Sequence, residues 1–117
     1  MPETFIVVSD QFPALHAWTD CPYEEVAFLR TPHRHVFHVK VKVKVTHDDR
    51  AVEFFMLKNS LSKMLHDLYA HRDLGSLSCE MLCHNIKNDL RYNYPDPLEI
   101  HSISVFEDNE NGAEVVF

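Results

Sequence analysis

The sequence predicts an α+β domain in which two antiparallel helices cover one face of a four-stranded antiparallel sheet. Three observations support this prediction. Valine and lysine alternate along much of residues 34–46, which is the period of a strand with one buried and one solvated face. Residues 52–69 and 78–92 carry apolar side chains at spacings of three and four, the period of an amphipathic helix. Short apolar runs before and after these segments complete the order ββααββ, which folds into two layers.

The first third of the chain is predicted to contain two strands joined by a long connection. Residues 5–8, Phe-Ile-Val-Val, indicate a short first strand, and an unassigned segment then runs to residue 18. Residues 20–31 have an irregular pattern bounded by prolines, so we expect a loop with a turn of helix. The long second strand covers about residues 34–46.

Turn-forming residues separate the two helices from the strands. The polar turn at residues 47–50 ends the second strand, and the first helix extends to about Tyr69. Ser78 is placed to cap the second helix, because a serine side chain accepts a hydrogen bond from the free N–H groups at a helix start. Pro95 and Pro97 end this helix.

Two further strands complete the predicted sheet. Residues 100–106 are mostly apolar, residues 109–112 (Asn-Glu-Asn-Gly) are typical of a hairpin turn, and residues 113–117 form the last strand. A sheet of only four strands leaves two edges open. Assembly of several copies into a closed barrel is one way to remove those edges.

Length and charge limit the possible functions. The 117 residues predict a single domain, residues 1–117, and 45% hydrophobic residues suffice for a core. A net charge of −7 argues against a nucleic-acid partner, and Lys40, Lys42 and Lys44 are expected to form the solvated face or guarded edge of a strand. The sequence has neither a signal-peptide pattern nor an apolar stretch of about 20 residues that could span a membrane. We therefore expect a cytoplasmic protein.

A pair of histidines opens the second strand. His33 and His35 are two residues apart, so their side chains project from the same face of the strand and can hold one metal ion. His16 is the obvious third ligand, and three imidazoles with an open fourth position form a catalytic zinc arrangement. His38 points to the opposite face and is excluded as a ligand. Because the chain has nine histidines, the alternative is that the spacing arises by chance among solvated side chains.

Five short motifs, in this order, resemble those of the 6-pyruvoyl-tetrahydropterin synthase and 6-carboxy-tetrahydropterin synthase family. Residues 12–16 (Phe-Pro-Ala-Leu-His) are similar to its first zinc-ligand motif, and residues 32–36 (Pro-His-Arg-His-Val) to its His-Gly-His motif, with arginine in place of glycine. Residues 52–58 resemble the opening of its first helix, and residues 77–82 the start of its second. Residues 105–107 (Val-Phe-Glu) match the strand whose glutamate holds the pterin ring. The match covers nearly the whole chain.

The resemblance implies a tunnelling fold whose copies form a homo-oligomeric barrel, a trimer or hexamer, with the pocket between subunits. It also implies a Zn²⁺ ion held by His16, His33 and His35, which can polarise a substrate carbonyl. Glu107 would accept two parallel hydrogen bonds from the ring of a small pterin or purine-nucleotide substrate, and Ser78 would also contact this substrate. The alternative for Glu107 is an exposed carboxylate before a hairpin.

The residues for proton transfer depart from the family pattern. The family uses a cysteine shortly before its histidine pair, whereas the nearest cysteine here, Cys21, lies well upstream. Some members use a glutamate instead, which makes Glu24 or Glu25 the candidate general base. Of the family's Asp-His pair only the histidine is present, and His71 is therefore a candidate acid or base. The alternatives are two solvated acids on a loop and a polar residue at a frayed helix end.

The first functional hypothesis is a zinc-dependent lyase that converts a 7,8-dihydroneopterin triphosphate-like substrate to a tetrahydropterin. The product would be of the 6-carboxy type, on the route to 7-deazaguanines such as queuosine, or of the 6-pyruvoyl type. The second hypothesis is a relative that binds a pterin or purine nucleotide without turning it over, or that serves as a partner subunit. The third is a plain oligomeric module whose histidines are structural.

Overall fold

The structure, a computed structural model, describes residues 2–117 and confirms the order ββααββ. The elements are the strands β1 (Thr4–His16), β2 (His33–Val45), β3 (Glu99–Glu107) and β4 (Asn111–Val116) and the helices α1 (Phe54–Leu68) and α2 (Cys79–Asn93). The strands form one antiparallel sheet in the order β1-β2-β3-β4, and both helices pack on the same face of it. The predicted α+β fold class is therefore confirmed.

β1 is longer than the short strand predicted for residues 5–8. It pairs with β2 along all 13 of its residues, up to the pair formed by His16 and His33. Pro13 lacks an N–H, but its backbone faces away from β2, where its carbonyl oxygen accepts a hydrogen bond from the backbone N–H of His71 at 2.7 Å. The prediction was wrong in length because pairing with a regular neighbour extends the strand through a segment of weak alternation.

The other boundaries agree with the sequence to within about two residues. Ser78 caps α2 as predicted, since its hydroxyl accepts a hydrogen bond from the N–H of Met81 at 3.2 Å. The connection between β1 and β2 contains a 3₁₀ helix at Glu24–Arg30, which is longer than the predicted turn. β4 begins two residues before the predicted residue 113, directly after the hairpin turn.

The core lies between the sheet and the helices. Every second residue of β2 from Phe37 to Val43 is buried, while Lys40, Lys42 and Lys44 lie on the opposite face, as the sequence predicts. The helices contribute Leu57, Leu61, Met64 and Leu65 from α1 and Cys79, Leu82, Cys83, Ile86 and Leu90 from α2. Burial of a large apolar side chain stabilises a fold by about 1.5–3 kcal/mol, so this layer holds the helices on the sheet. Along residues 2–117, no helix has the length and apolar character needed to cross a membrane.

Candidate metal centre

Three histidines and one glutamate meet at one end of the sheet. His16 ends β1, His33 and His35 begin β2, and Glu107 ends β3. Each offers one ligand atom, and these four atoms all lie within 4.8 Å of one another. The four side chains occupy the same face as the core residues of their strands, such as Phe37 in β2. The cluster therefore extends the core-facing side of the sheet beyond its apolar part.

Strand pairing brings the three imidazoles together. His16 and His33 are paired across β1 and β2, and their ring centroids are 4.6 Å apart. The ring centroid of His35 lies 4.9 Å from that of His33 and 5.3 Å from that of His16. The structure thus brings together the three residues predicted as metal ligands. Their role as ligands stays a prediction, which this geometry supports.

Two of the histidines donate a hydrogen bond to a backbone carbonyl. Nδ1 of His16 lies 2.9 Å from the carbonyl oxygen of Leu77, and Nδ1 of His33 lies 2.9 Å from that of Thr31. A carbonyl oxygen only accepts, so the proton is assigned to Nδ1 in both rings. In the neutral form each ring then presents a lone pair on Nε2.

His35 is oriented in the same way by a carboxylate. Its Nδ1 lies 2.6 Å from Oδ2 of Asp108, and Oδ1 of Asp108 accepts a hydrogen bond from the N–H of Val36 at 2.9 Å. These two hydrogen bonds, of which the one from His35 is the stronger influence, hold the pKa of Asp108 below its usual range. The positive φ angles of Asp108 (+53°) and Asn109 (+58°) form a tight turn that carries the carboxylate back to the start of β2.

When the three rings are neutral, the free atoms of the cluster are therefore all hydrogen-bond acceptors. Nε2 of His33 is buried and has no hydrogen-bond partner within residues 2–117. Nε2 of His16 and Nε2 of His35 lie 3.0 Å and 2.9 Å from Oε2 of Glu107. Lone pairs at such distances repel one another unless a proton or a metal cation lies between them. Neutral imidazole and carboxylate are ligands that Zn²⁺ prefers, so the donor set fits zinc.

We expect Asp108→Asn to weaken zinc binding by about 10- to 100-fold, because partners that orient a metal-binding histidine affect affinity by that factor. The two donors, Nδ1 of His35 and the N–H of Val36, contact different oxygens of Asp108, and asparagine carries an NH₂ donor in place of one of them. Competition with a zinc chelator measures the dissociation constant, and urea unfolding is recorded in parallel. The control is Glu110→Gln, which removes an exposed carboxylate from the same turn. Equal affinities of the two variants would show that Asp108 does not position His35.

A cavity of about 460 Å³ adjoins the cluster. His16 and Glu107 belong both to the cluster and to the cavity wall, and residues around the start of α2 form another side of it. The remaining lining residues are Ala17, Trp18, Leu29, Ser76, Leu77, Ser78, Cys79, Glu80, Met81, Asn111 and Gly112. Ser78, predicted to contact the substrate, thus lies in the wall while its hydroxyl also caps α2.

Cys79, which was not among the predicted site residues, also lies in the cavity wall. It is a free and buried cysteine. Burial, and after it the charge of Glu107, raises the pKa of its thiol to about 12. Without a metal ion nearby, such a thiol is protonated near neutral pH. Its place directly after the predicted cap Ser78 is the sequence signal that could have located it.

The three predicted catalytic residues lie outside the cluster. Glu24 and Glu25 are exposed in the 3₁₀ helix, and Glu24 forms an ion pair of 2.9 Å with Arg30. His71 is exposed after α1, with a left-handed φ of +61°. None of the three contributes a ligand atom to the cluster. Their assignment as catalytic residues stays a prediction.

No protein-family model and no curated protein matches this sequence. Among solved structures, the chain is similar to Caenorhabditis elegans 6-pyruvoyl tetrahydropterin synthase, with 19% identity over 100% of this chain and 97% of that chain and a TM-score of 0.77. For Plasmodium falciparum 6-pyruvoyl tetrahydropterin synthase the identity is 18% over 97% of this chain and 96% of that chain, with a TM-score of 0.71. For a catalytic-residue mutant of the Plasmodium vivax enzyme, in which alanine replaces a glutamate, the identity is 15% over 98% of both chains, with a TM-score of 0.73.

Identities between 15% and 19% establish a common fold and leave the activity open. The similarity extends over nearly the full length of both partners in each comparison. The resemblance indicated by the five motifs is therefore confirmed for the fold, and this chain has the fold of the 6-pyruvoyl tetrahydropterin synthases.

Proposed function

We propose that this protein is a zinc-dependent lyase that converts a 7,8-dihydroneopterin triphosphate-like substrate to a 6-substituted tetrahydropterin. The observation that carries the proposal is the convergence of one ring nitrogen from each of His16, His33 and His35 beside a cavity, in a fold shared with pterin synthases. A zinc ion bound there supplies a positive charge that polarises oxygen atoms of the substrate side chain. The product is of the 6-carboxy or the 6-pyruvoyl type, and the cytoplasmic location stays a prediction.

The wall of the cavity suits a flat heterocycle that carries polar edges. Trp18 and Leu29 offer apolar surface for the faces of the ring. The carboxylate of Glu107 can accept two parallel hydrogen bonds from the N–H and NH₂ groups of a pyrimidinone, and Ser78 lies in the same wall. A substrate held in this way reaches the metal ligands, because His16 lines the cavity.

Proton transfer is assigned to Glu24 or Glu25 as base and to His71 as acid or base. The replacement of a glutamate in the catalytic-residue mutant of the Plasmodium vivax enzyme supports a carboxylate in this role. All three side chains are exposed in a single chain. We further infer a homo-oligomer, a trimer or hexamer, in which these residues approach the site from a neighbouring copy. The outer edge of β4, which pairs only with β3 within the described chain, is suited to such assembly.

The proposed activity is tested by incubating zinc-loaded protein with 7,8-dihydroneopterin triphosphate and separating the products by chromatography. We expect conversion by the unchanged protein and a rate lowered by about 10²- to 10⁴-fold in the Glu24→Gln/Glu25→Gln variant or in His71→Ala, because general acid–base groups contribute that factor. Glu110→Gln is the matched control for loss of an exposed carboxylate. Formation of product at equal rates by all variants would exclude these residues as the proton-transfer groups.

The second candidate function is a non-catalytic relative that binds a pterin or a purine nucleotide, or that acts as a partner subunit. The position of all three predicted catalytic side chains outside the metal cluster favours it. Calorimetry with neopterin and with a purine nucleotide distinguishes the two candidates. Tight binding without any product from the triphosphate substrate would support this second function and contradict the lyase.

A further inference from the structure

Glu107 makes contacts that differ from those of a residue reserved for ring binding. Its Oε2 lies 3.0 Å from Nε2 of His16 and 2.9 Å from Nε2 of His35. The Nδ1 protons of both rings are already engaged by Leu77 and Asp108, so neither neutral ring has a hydrogen to donate to this oxygen. A histidine that binds a metal is neutral, so beside a bound cation the carboxylate occupies a position that a ligand of the same cation would take.

We propose that Glu107 is a fourth protein ligand of the metal and closes the centre until a substrate ring draws its carboxylate away. The inference rests on the zinc site of the proposed function. Ligand distances of about 2.0–2.2 Å around a tetrahedral zinc ion place the ligand atoms roughly 3.3 Å from one another. The contacts of Glu107 are close to that value, and all four ligand atoms lie within 4.8 Å.

The backbone around Glu107 holds it in this position. Asp108, the next residue, exchanges hydrogen bonds with Val36, whose carbonyl oxygen accepts from the N–H of Asp108 at 2.8 Å and whose N–H donates to Oδ1 at 2.9 Å. The same Asp108 carboxylate contacts Nδ1 of His35 while Glu107 contacts its Nε2. His35 is thus clamped between two consecutive carboxylates, one on each ring nitrogen. This arrangement ties the end of β3 to the metal ligands at the start of β2.

A closed centre couples ring binding to the opening of the metal site. Structural zinc sites have four protein ligands, whereas catalytic sites keep one position open. Glu107 lines the cavity, so two parallel N–H donors of a pyrimidinone ring compete with the metal for the same carboxylate. A ring that binds to Glu107 therefore frees the fourth position only when the substrate is present. The class of ligand that opens the site is a heterocycle with adjacent N–H and NH₂ groups.

The inference is tested on the full chain loaded with Zn²⁺ or with Co²⁺, whose visible absorption reports the number and type of ligands. The variants are Glu107→Gln, which removes the charge, and Glu107→Asp, which keeps the charge but shortens the reach. Glu110→Gln is the control, and circular dichroism verifies that each variant is folded. We expect zinc affinity at least about 10-fold lower and an altered Co²⁺ spectrum in both Glu107 variants, with no change in the control. Neopterin should shift the spectrum of the unchanged protein and leave those of the variants as they were.

The possible results separate this inference from the proposed function. Unchanged zinc affinity and Co²⁺ spectrum in Glu107→Gln would overturn the inference, and so would wild-type behaviour of Glu107→Asp, because the effect would then come from charge alone. If the unchanged protein forms product while the Glu107 variants keep their spectra, the lyase stands and the inference fails. If the unchanged protein binds no zinc, the zinc site of the proposed function fails and this inference fails with it.

Discussion

Replacing His33 by alanine is expected to abolish stoichiometric zinc binding, whereas His38→Ala on the same strand should leave it unchanged. Nε2 of His33 is buried and lacks a hydrogen-bond partner in the described chain, and its Nδ1 is fixed by Thr31. Nε2 of His33 is therefore free to bind a metal ion, and the loss of this side chain leaves only two imidazole ligands. We expect the zinc affinity to fall by more than roughly 10- to 100-fold, which is the loss typical of mutating a residue that only hydrogen-bonds to a metal ligand.

The pair of variants is matched because β2 carries both residues on opposite faces. His33 belongs to the face that bears the cluster, and His38 lines a separate cavity beside Lys40 on the other face. Metal content is measured by elemental analysis of protein purified without chelators, and the dissociation constant by competition. Urea unfolding shows whether either variant has lost stability. One zinc per chain in His33→Ala, held as tightly as in the unchanged protein, would place the metal elsewhere.

The ligand set could be predicted in part because strand parity is a property of sequence alone. The two-residue spacing of His33 and His35 is sufficient to place both on one face of a strand. His16 required the resemblance, since the polar residues 9–11 conceal the second half of β1. Only the 13-residue pairing with β2 shows that His16 lies opposite His33.

Glu107 was assigned to the substrate ring, and its contacts with the histidines were not predicted. Parity within β3 does place Glu107 on the same face as Val105. The distance to His35, however, depends on the register between β2 and β3, in which Glu107 is paired with Phe37. No pattern in the sequence fixes that register.

The role of Asp108 in orienting His35 could not be predicted from the sequence either. A carboxylate that follows a strand end and precedes Asn109 indicates only a turn. Two consecutive positive φ angles decide that this turn brings the carboxylate back to His35 and Val36. The fold class could be predicted because the spacing of apolar residues indicates helices and strands directly. The details of the site depend instead on backbone geometry at three strand ends.

The hairpin that carries this geometry should be highly sensitive to a methyl group at Gly112. A Cβ atom there would overlap the carbonyl oxygen of Val105 and lie 2.6 Å from Cα of Phe106. Both are backbone atoms of β3, so neither can rotate away, and β4 would have to separate from its neighbour. We expect Gly112→Ala to lower the free energy of unfolding by at least about 3 kcal/mol, which is the top of the usual range for overpacking.

Gly75→Ala is the matched control for this substitution. Gly75 has a φ of +62°, but a Cβ atom there meets nothing within 4 Å. Its cost is therefore limited to the left-handed backbone, about 1–2 kcal/mol. Urea denaturation of both variants compares the two effects, and equal losses would mean that β4 moves away from β3 without difficulty. Because Gly112 follows the turn that holds Glu107 and Asp108, its variant should also bind zinc more weakly, while Gly75→Ala should retain the affinity of the unchanged protein.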